Sequence, residues 1–258
     1  MAEQKNVFEE LAPYARMVVV PGVTVGQLTY INQQTLFSDS VFSTSPEGLV
    51  AANQNVTFFS SALNDSADGQ GFAAGQVMTL GQTNSKFSRG QAPANQCYVA
   101  VAMGFQISRV TSANTTDVTN FKGLLTPKDV FSIAQNFAWS LSIGRGIERT
   151  IGQLCEWPAG TGAWGLNNDG GLGLTGLLAD IMPSTIAPVV SAGYTGQLGS
   201  PNGQMRRLHV PIVFPPLVNV SLRAQCGNAF LLQTRIASAE TICIRQVLKG
   251  YLMTMPAG

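Results

Sequence analysis

The chain is predicted to be all-β: a jelly-roll β-sandwich, made of two small rolls in tandem or of one elaborated roll, with short helices inserted in its loops. Three observations carry this. Charged residues are only 11% of the 258, while apolar residues reach 45%, against roughly 25% charged in ordinary soluble domains. Asn, Gln, Ser, Thr and 27 Gly must therefore cover the surface, and such residues suit turns and strand faces better than helices. Short runs of β-branched and aromatic residues recur along the chain, separated by Gly, Asn and Asp turn signals.

Residues 3–12, "EQKNVFEELA", form a helix candidate with Val7, Phe8 and Leu11 at helical spacing, stopped by Pro13. "RMVVVPGVTVGQLTYI" then reads as strand, turn and strand. "NVTFFSSAL", "GQVMTLGQT" and "QCYVAVAMGFQISRV" follow as strands. In the last, Tyr98, Ala100 and Ala102 oppose Val99, Val101 and Met103, so both faces are apolar and the strand is central. Thr126 before Pro127, with Asp129 in the first turn, starts a helix running to about Asn136. Beyond it Phe137, Trp139, Leu141 and Ile143 alternate with small residues, the period of a strand with one face in a core.

Residues 157–176 are glycine-dense and read as a long loop, followed at most by a short helix. From Leu208 the strands return: Leu208, Val210, Ile212 and Phe214 share a face, Pro215–Pro216 break the ladder, and Val218, Val220 and Leu222 resume alternation. In the last strand Ile242, Ile244, Leu248 and Leu252 share one face, Arg245, Lys249 and Tyr251 the other. The expected division is an arm at 1–16, a first roll at 17–118 and a second at 119–258, with the boundary in "SANTTDVTNFKGLLT", residues 112–126.

The search for chemistry ends mostly in exclusions. His209 is the only histidine, and its place between Leu208 and Val210 on a strand suits a surface or interface group better than a general base. No G-x-S-x-G elbow occurs, and "GRGIERTIG" lacks the order a P-loop needs. Asp65, Asp68 and Asp169 sit in Asn-Asp-Gly turns without the ligand series of a calcium loop. Glu148 and Glu156 are the one carboxylate pair nearby in the middle of the chain, and a glycosidase would need them to face across a cleft. Cys97, Cys155, Cys226 and Cys243 show no zinc spacing and are expected as free thiols. The chain is read as a non-enzyme without cofactor or metal.

A net charge of +1, with Arg206–Arg207 as the densest basic point, argues against a specific nucleic-acid partner. The N-terminus lacks a basic n-region and no apolar run reaches about 18 residues, so synthesis and folding in a cytoplasm are expected.

The turn and strand "QAPANQCYVAVAMGF", the strand ending "CEWPAGTG" and the pair "LHVPIVFPPLVNVSLRAQ" and "ICIRQVLKGYLMTM" resemble, over residues 90–255, the β-sandwich coat proteins of tailless icosahedral bacteriophages with an internal membrane. The resemblance implies a structural virion protein: a major capsid protein of two jelly rolls, assembling as homotrimers beside neighbouring capsid subunits, penton or minor capsid proteins and an internal membrane. Low charge fits such a role, since interface cores are depleted in charge and enriched in aromatic residues, Met and Arg. On that reading the candidate subunit contacts are Val7, Phe8, Leu11, Trp157, Trp164, Arg206 and Arg207. The alternative is a carbohydrate- or receptor-binding spike or lectin-like sandwich, with Trp157 or Trp164 exposed as a stacking platform.

Overall fold

The computed structural model describes residues 30–45, 47–111, 127–157, 205–232 and 240–254. Among them the chain is an all-β sandwich with a single short helix. One sheet has the order β1-β10-β4-β7 and the other β3-β8-β5-β6; a two-stranded ribbon joins β2 and β9. The first sheet comprises β1 (Tyr30–Ser43), β4 (Gln96–Thr111), β7 (Arg206–Phe214) and β10 (Glu240–Thr254); the second comprises β3 (Asn55–Phe58), β5 (Phe137–Ile143), β6 (Arg149–Gln153) and β8 (Val220–Cys226). The ribbon pairs β2 (Leu49–Val50) with β9 (Phe230–Leu231). Every pairing between these strands is antiparallel.

Strands from either side of residue 118 interleave in both sheets: β1 and β4 flank β10, and β3 pairs with β8. The expected boundary at 118 therefore does not separate two β units among the described residues, and one sandwich replaces the 17–118 and 119–258 division. Its core joins both sheets. Phe58 of β3 meets Phe105 of β4 at 5.7 Å between ring centroids, Phe105 meets Trp139 of β5 at 6.3 Å, and Phe42 of β1 meets Phe137 at 5.1 Å.

Local patterns explain most elements. The helix α1 spans Pro127–Asn136, as its Pro start and Asp129 predict. β5 follows at once, burying Phe137 and Trp139. In β10 Ile242, Ile244 and Leu248 enter the core while Arg245 and Lys249 point the other way.

Three expectations fail, each for a physical reason. "GQVMTLGQT" is no strand: it contributes only isolated bridges, Ser66 to Val77 and Ser38 to Thr83. A bulge between Ala100 and Ala102 changes the parity of β4, so Met103 rather than Ala102 continues the core face of Tyr98 and Ala100. On β7 the same irregularity sets Arg207 opposite Ala102 and Ile212 opposite Ala100. The extra residues bow outward and leave Val210 65% exposed, off the face of Leu208, Ile212 and Phe214.

β1 is an edge strand, and residues 59–95 run along it. Asp39 N–H donates to Gln82 O at 2.8 Å, Val41 N–H to Gln70 O at 2.8 Å and Phe37 N–H to Asn84 Oδ1 at 2.8 Å, so its outer edge is covered rather than offered to other chains. Gln70 is fully buried and organises this strap. Its Nε2 donates to Ser38 Oγ at 2.8 Å and Asp39 O at 2.6 Å, and its Oε1 accepts from Ser61 N–H at 3.1 Å. Gly71, at φ +80°, lies so close to β1 that a Cβ would sit 1.9 Å from Val41 O, which only glycine avoids.

The connections divide by length. Ser43, Thr111 and Glu240 lie together at one end of the first sheet, and Asn55, Phe137, Gln153 and Cys226 lie together in the second. The links from β1 to β3, β4 to β5, β6 to β7 and β8 to β10 therefore all leave at this end. At the other end lie the tight β5–β6 turn, the 215–219 corner and the last part of the strap, joined by bonds from Leu217 N–H to Ala92 O at 3.1 Å and Gly144 N–H to Asn219 O at 2.7 Å.

Candidate interaction surfaces

The ionisable groups do not converge. His209 is exposed on the bowed part of β7 and makes no hydrogen bond or ion pair among the described residues. Glu148 accepts a hydrogen bond from Ser140 Oγ and pairs with Arg223 at 3.5 Å. Glu156 pairs with Arg206 at 3.7 Å. The two carboxylates are thus tied to separate arginines and face no common cleft. Among the described residues no group of three or more His, Cys, Asp or Glu could hold a metal ion. Asp65 and Asp68 hold turns, through Met78 N–H to Asp65 O at 2.9 Å and Asp68 N–H to Ser66 Oγ at 3.4 Å; Asp169 lies outside the described residues.

All four cysteines are free thiols; Cys97, Cys226 and Cys243 are buried and Cys155 is half-buried. Burial pushes the Cys97 thiol up to about 12, and burial with the neighbouring Glu156 charge raises Cys155 as well. Reactivity follows thiolate content and access together. In the folded protein a maleimide reagent should therefore modify Cys155 first and leave Cys97 untouched until unfolding; peptide mapping of a labelling time course checks the order, and early loss of Cys97 would refute it.

The tryptophan predicted as a contact is internal. Trp157 is 7% exposed. Its ring stands edge-on to Trp139 at 5.6 Å and 88°, and the Arg206 guanidinium covers it 4.6 Å from the centroid. Arg206 also donates to Glu156 O at 3.0 Å. Trp157 therefore presents little open ring face for stacking a sugar, since Trp139 and the Arg206 guanidinium lie against it, while the Arg206 side chain itself keeps 45% exposure. Arg207 is exposed on β7. Val7, Phe8, Leu11 and Trp164 lie outside the described residues.

Exposed apolar residues lie at both ends of the sandwich and also on the strap (Val77, Leu80), on α1 (Phe131) and on β7 (Val210). At the end of the long connections, Leu49 and Leu231 oppose each other across the β2–β9 ribbon, both exposed. At the other end the β5–β6 hairpin alternates Ile143, Arg145, Ile147, Arg149 and Ile151, and all five are exposed, the isoleucines at 40%, 86% and 43%. Leu217 on the adjoining corner is exposed too. Neither Arg145 nor Arg149 has an ion-pair or hydrogen-bond partner among the described residues, and β6 pairs only with β5, leaving its other edge open there. The signal was present in "SIGRGIERTIG" as an every-second-residue alternation of Ile and Arg, which a search for phosphate-binding loops passes over.

No family model, curated protein or solved structure matches the chain.

Proposed function

We propose that the chain is a structural subunit of a virion shell, assembling with copies of itself. The observation that carries the reading is the strand order, β1-β10-β4-β7 packed on β3-β8-β5-β6. Eight strands in two four-stranded antiparallel sheets, with the chain passing repeatedly between them, is the arrangement of a jelly roll, an architecture used by viral capsids, lectins and cupins. A fold alone does not select among these. A cupin-like role would call for a metal or catalytic cluster, and the described residues offer none. A lectin-like role loses its aromatic platform at Trp157. A shell subunit needs a rigid body with apolar surface reserved for neighbours, and the exposed pairs Leu49 and Leu231 on the ribbon and Ile147 and Leu217 at the hairpin end fit that need.

With one sandwich among the described residues, the trimer implied by the family resemblance rests on that resemblance alone, and the oligomer is the quantity to measure. Light scattering and electron microscopy of the purified chain over a range of salt and concentration test the proposal. Homo-oligomers, with trimers among them, or closed shells are the expected result. A stable monomer at micromolar concentration under all conditions, with no particles, would sink it.

A further inference from the structure

The β5–β6 hairpin has the character of a docking surface, and one segment of this chain complements it. Among the described residues the hairpin offers exposed Ile147 and Ile151, two arginines without ion-pair or hydrogen-bond partners, and a strand edge that pairs with nothing. Residues 3–12, "EQKNVFEELA", carry Glu3, Glu9 and Glu10 against a single Lys5, together with Val7, Phe8 and Leu11. Acidic and apolar groups on the one side thus meet basic and apolar groups on the other, the pairing that sets register and suppresses wrong partners.

Chain geometry brings the two within range. Tyr30, the first described residue, pairs with Thr254, and β10 ends there beside the start of β4 at Gln96. That is the end of the sandwich where the hairpin turn lies, so Tyr30 sits at the hairpin's end. The 18 residue steps from position 12 to position 30 span up to about 60 Å when extended. β1 and β6 occupy opposite edges of the sandwich, so reaching its own hairpin would take the segment across the whole width of that end, over the 88–95 and 215–219 loops. A neighbouring copy presents the same hairpin without that crossing.

From these observations we infer that residues 3–12 of one copy dock on the β5–β6 hairpin of a second copy, with Glu9 and Glu10 facing Arg145 and Arg149 and the apolar side chains covering Ile147 and Ile151. The inference rests on the shell-subunit reading and names the contact through which copies associate.

The test uses full-length chains with reversed charges. The variants R145E/R149E and E9R/E10R are each expected to weaken self-association by about tenfold or more, measured by sedimentation velocity. Mixing the two is expected to restore it, because each reversed hairpin then meets a reversed segment from the other copy. A segment docked on its own hairpin would gain nothing from mixing, so absence of rescue overturns the inference. So does a wild-type affinity in either variant. A synthetic peptide of residues 1–16 separates this contact from the function. If the peptide fails to bind the wild-type chain at a concentration that saturates a micromolar site, the docking is wrong whatever the oligomeric state. If it binds wild type but not R145E/R149E while the chain stays monomeric, the docking stands and the shell reading falls.

Discussion

Replacing Trp139 by alanine is expected to remove about 3–5 kcal/mol of folding stability, near the top of the range for emptying a buried aromatic site. The ring is buried at the centre of the sandwich, between Phe105 of the opposite sheet and Trp157. Its loss removes contacts from both sheets at once, and close-packed interiors relax only partly around such a void. One feature works in the opposite direction. The Nε1 atoms of Trp139 and Trp157 are buried without hydrogen-bond partners, a desolvation penalty that the wild-type chain already carries. Trp139→Phe should therefore cost much less than Trp139→Ala, because it keeps most of the ring and relieves one unsatisfied donor. Urea unfolding of the two variants gives the comparison; equal losses, or a loss under about 1 kcal/mol for alanine, would show that Trp139 is not the centre of the core.

The second large effect belongs to Asp39. Its carboxylate receives Arg245 through two bonds, Nε to Oδ1 at 2.6 Å and Nη2 to Oδ2 at 2.9 Å, and the guanidinium lies over the Phe37 ring at 4.6 Å. Arg245 also donates to Gly81 O, which ties the strap to the sheet. Asp39→Ala would leave that guanidinium half-buried without its counter-charge. The expected loss is about 2–3 kcal/mol, below the roughly 3–5 of a fully buried pair, because the Arg245 side chain keeps 33% of its exposure. The double variant Asp39→Ala/Arg245→Met should recover most of this, since desolvation consumes much of what a buried pair gains.

The titration of Asp39 points the same way. Burial pushes its carboxyl above the ordinary 3.8 and Arg245 offsets this only in part. A raised folded-state value means that folding takes up a proton, so this group's contribution is full below 3.8 and fades as pH rises through the folded value. Acidification should therefore not destabilise the protein through Asp39. A double-mutant cycle followed at pH 4 and pH 7 reads both the coupling and its sign.

Periodicity was legible wherever a strand put only apolar groups inward. Phe137, Trp139 and Leu141 announce β5, and Ile242, Ile244 and Leu248 announce β10, because each buried face is unbroken. β1 hides its nature by contrast: Ser38 and Ser40 face inward, and their hydroxyls are satisfied there by Gln70, some thirty residues later, which bonds to both, and by Phe59 N–H, which donates to Ser38. No local window contains that compensation. Bulges defeat alternation in a similar way, since one extra residue at Val101 moves Met103 to the core face and the bowing of β7 expels Val210. The choice between one roll and two depends on which strands pair across more than a hundred residues, and composition and turn signals report only where strands begin and end. For the candidate surface, the residue types were visible but their pairing was not: Glu148 and Arg149 are adjacent in sequence, yet Glu148 is claimed by Ser140 and Arg223 while Arg149 has no ion-pair partner among the described residues.

The pairing of β1 with β10 has a consequence for how the chain is made. These are the first and last of the described strands, in register from Tyr30 opposite Thr254 to Ser43 opposite Thr241, and β10 is also the partner that gives β4 its place in the sheet. During synthesis at roughly 5–20 residues per second, β1 waits for β10 through 196 intervening residues and β4 through 128. Closing contacts this distant in sequence is slow, because the loop entropy must be lost before the contacts form. The nascent chain thus holds an incomplete first sheet until β10 leaves the ribosome, and a ribosome stalled before residue 240 should display a protease-sensitive chain. Subunits that lack the finished sheet would be withheld from association until β10 has emerged, which makes this strand a timing device as well as a structural one.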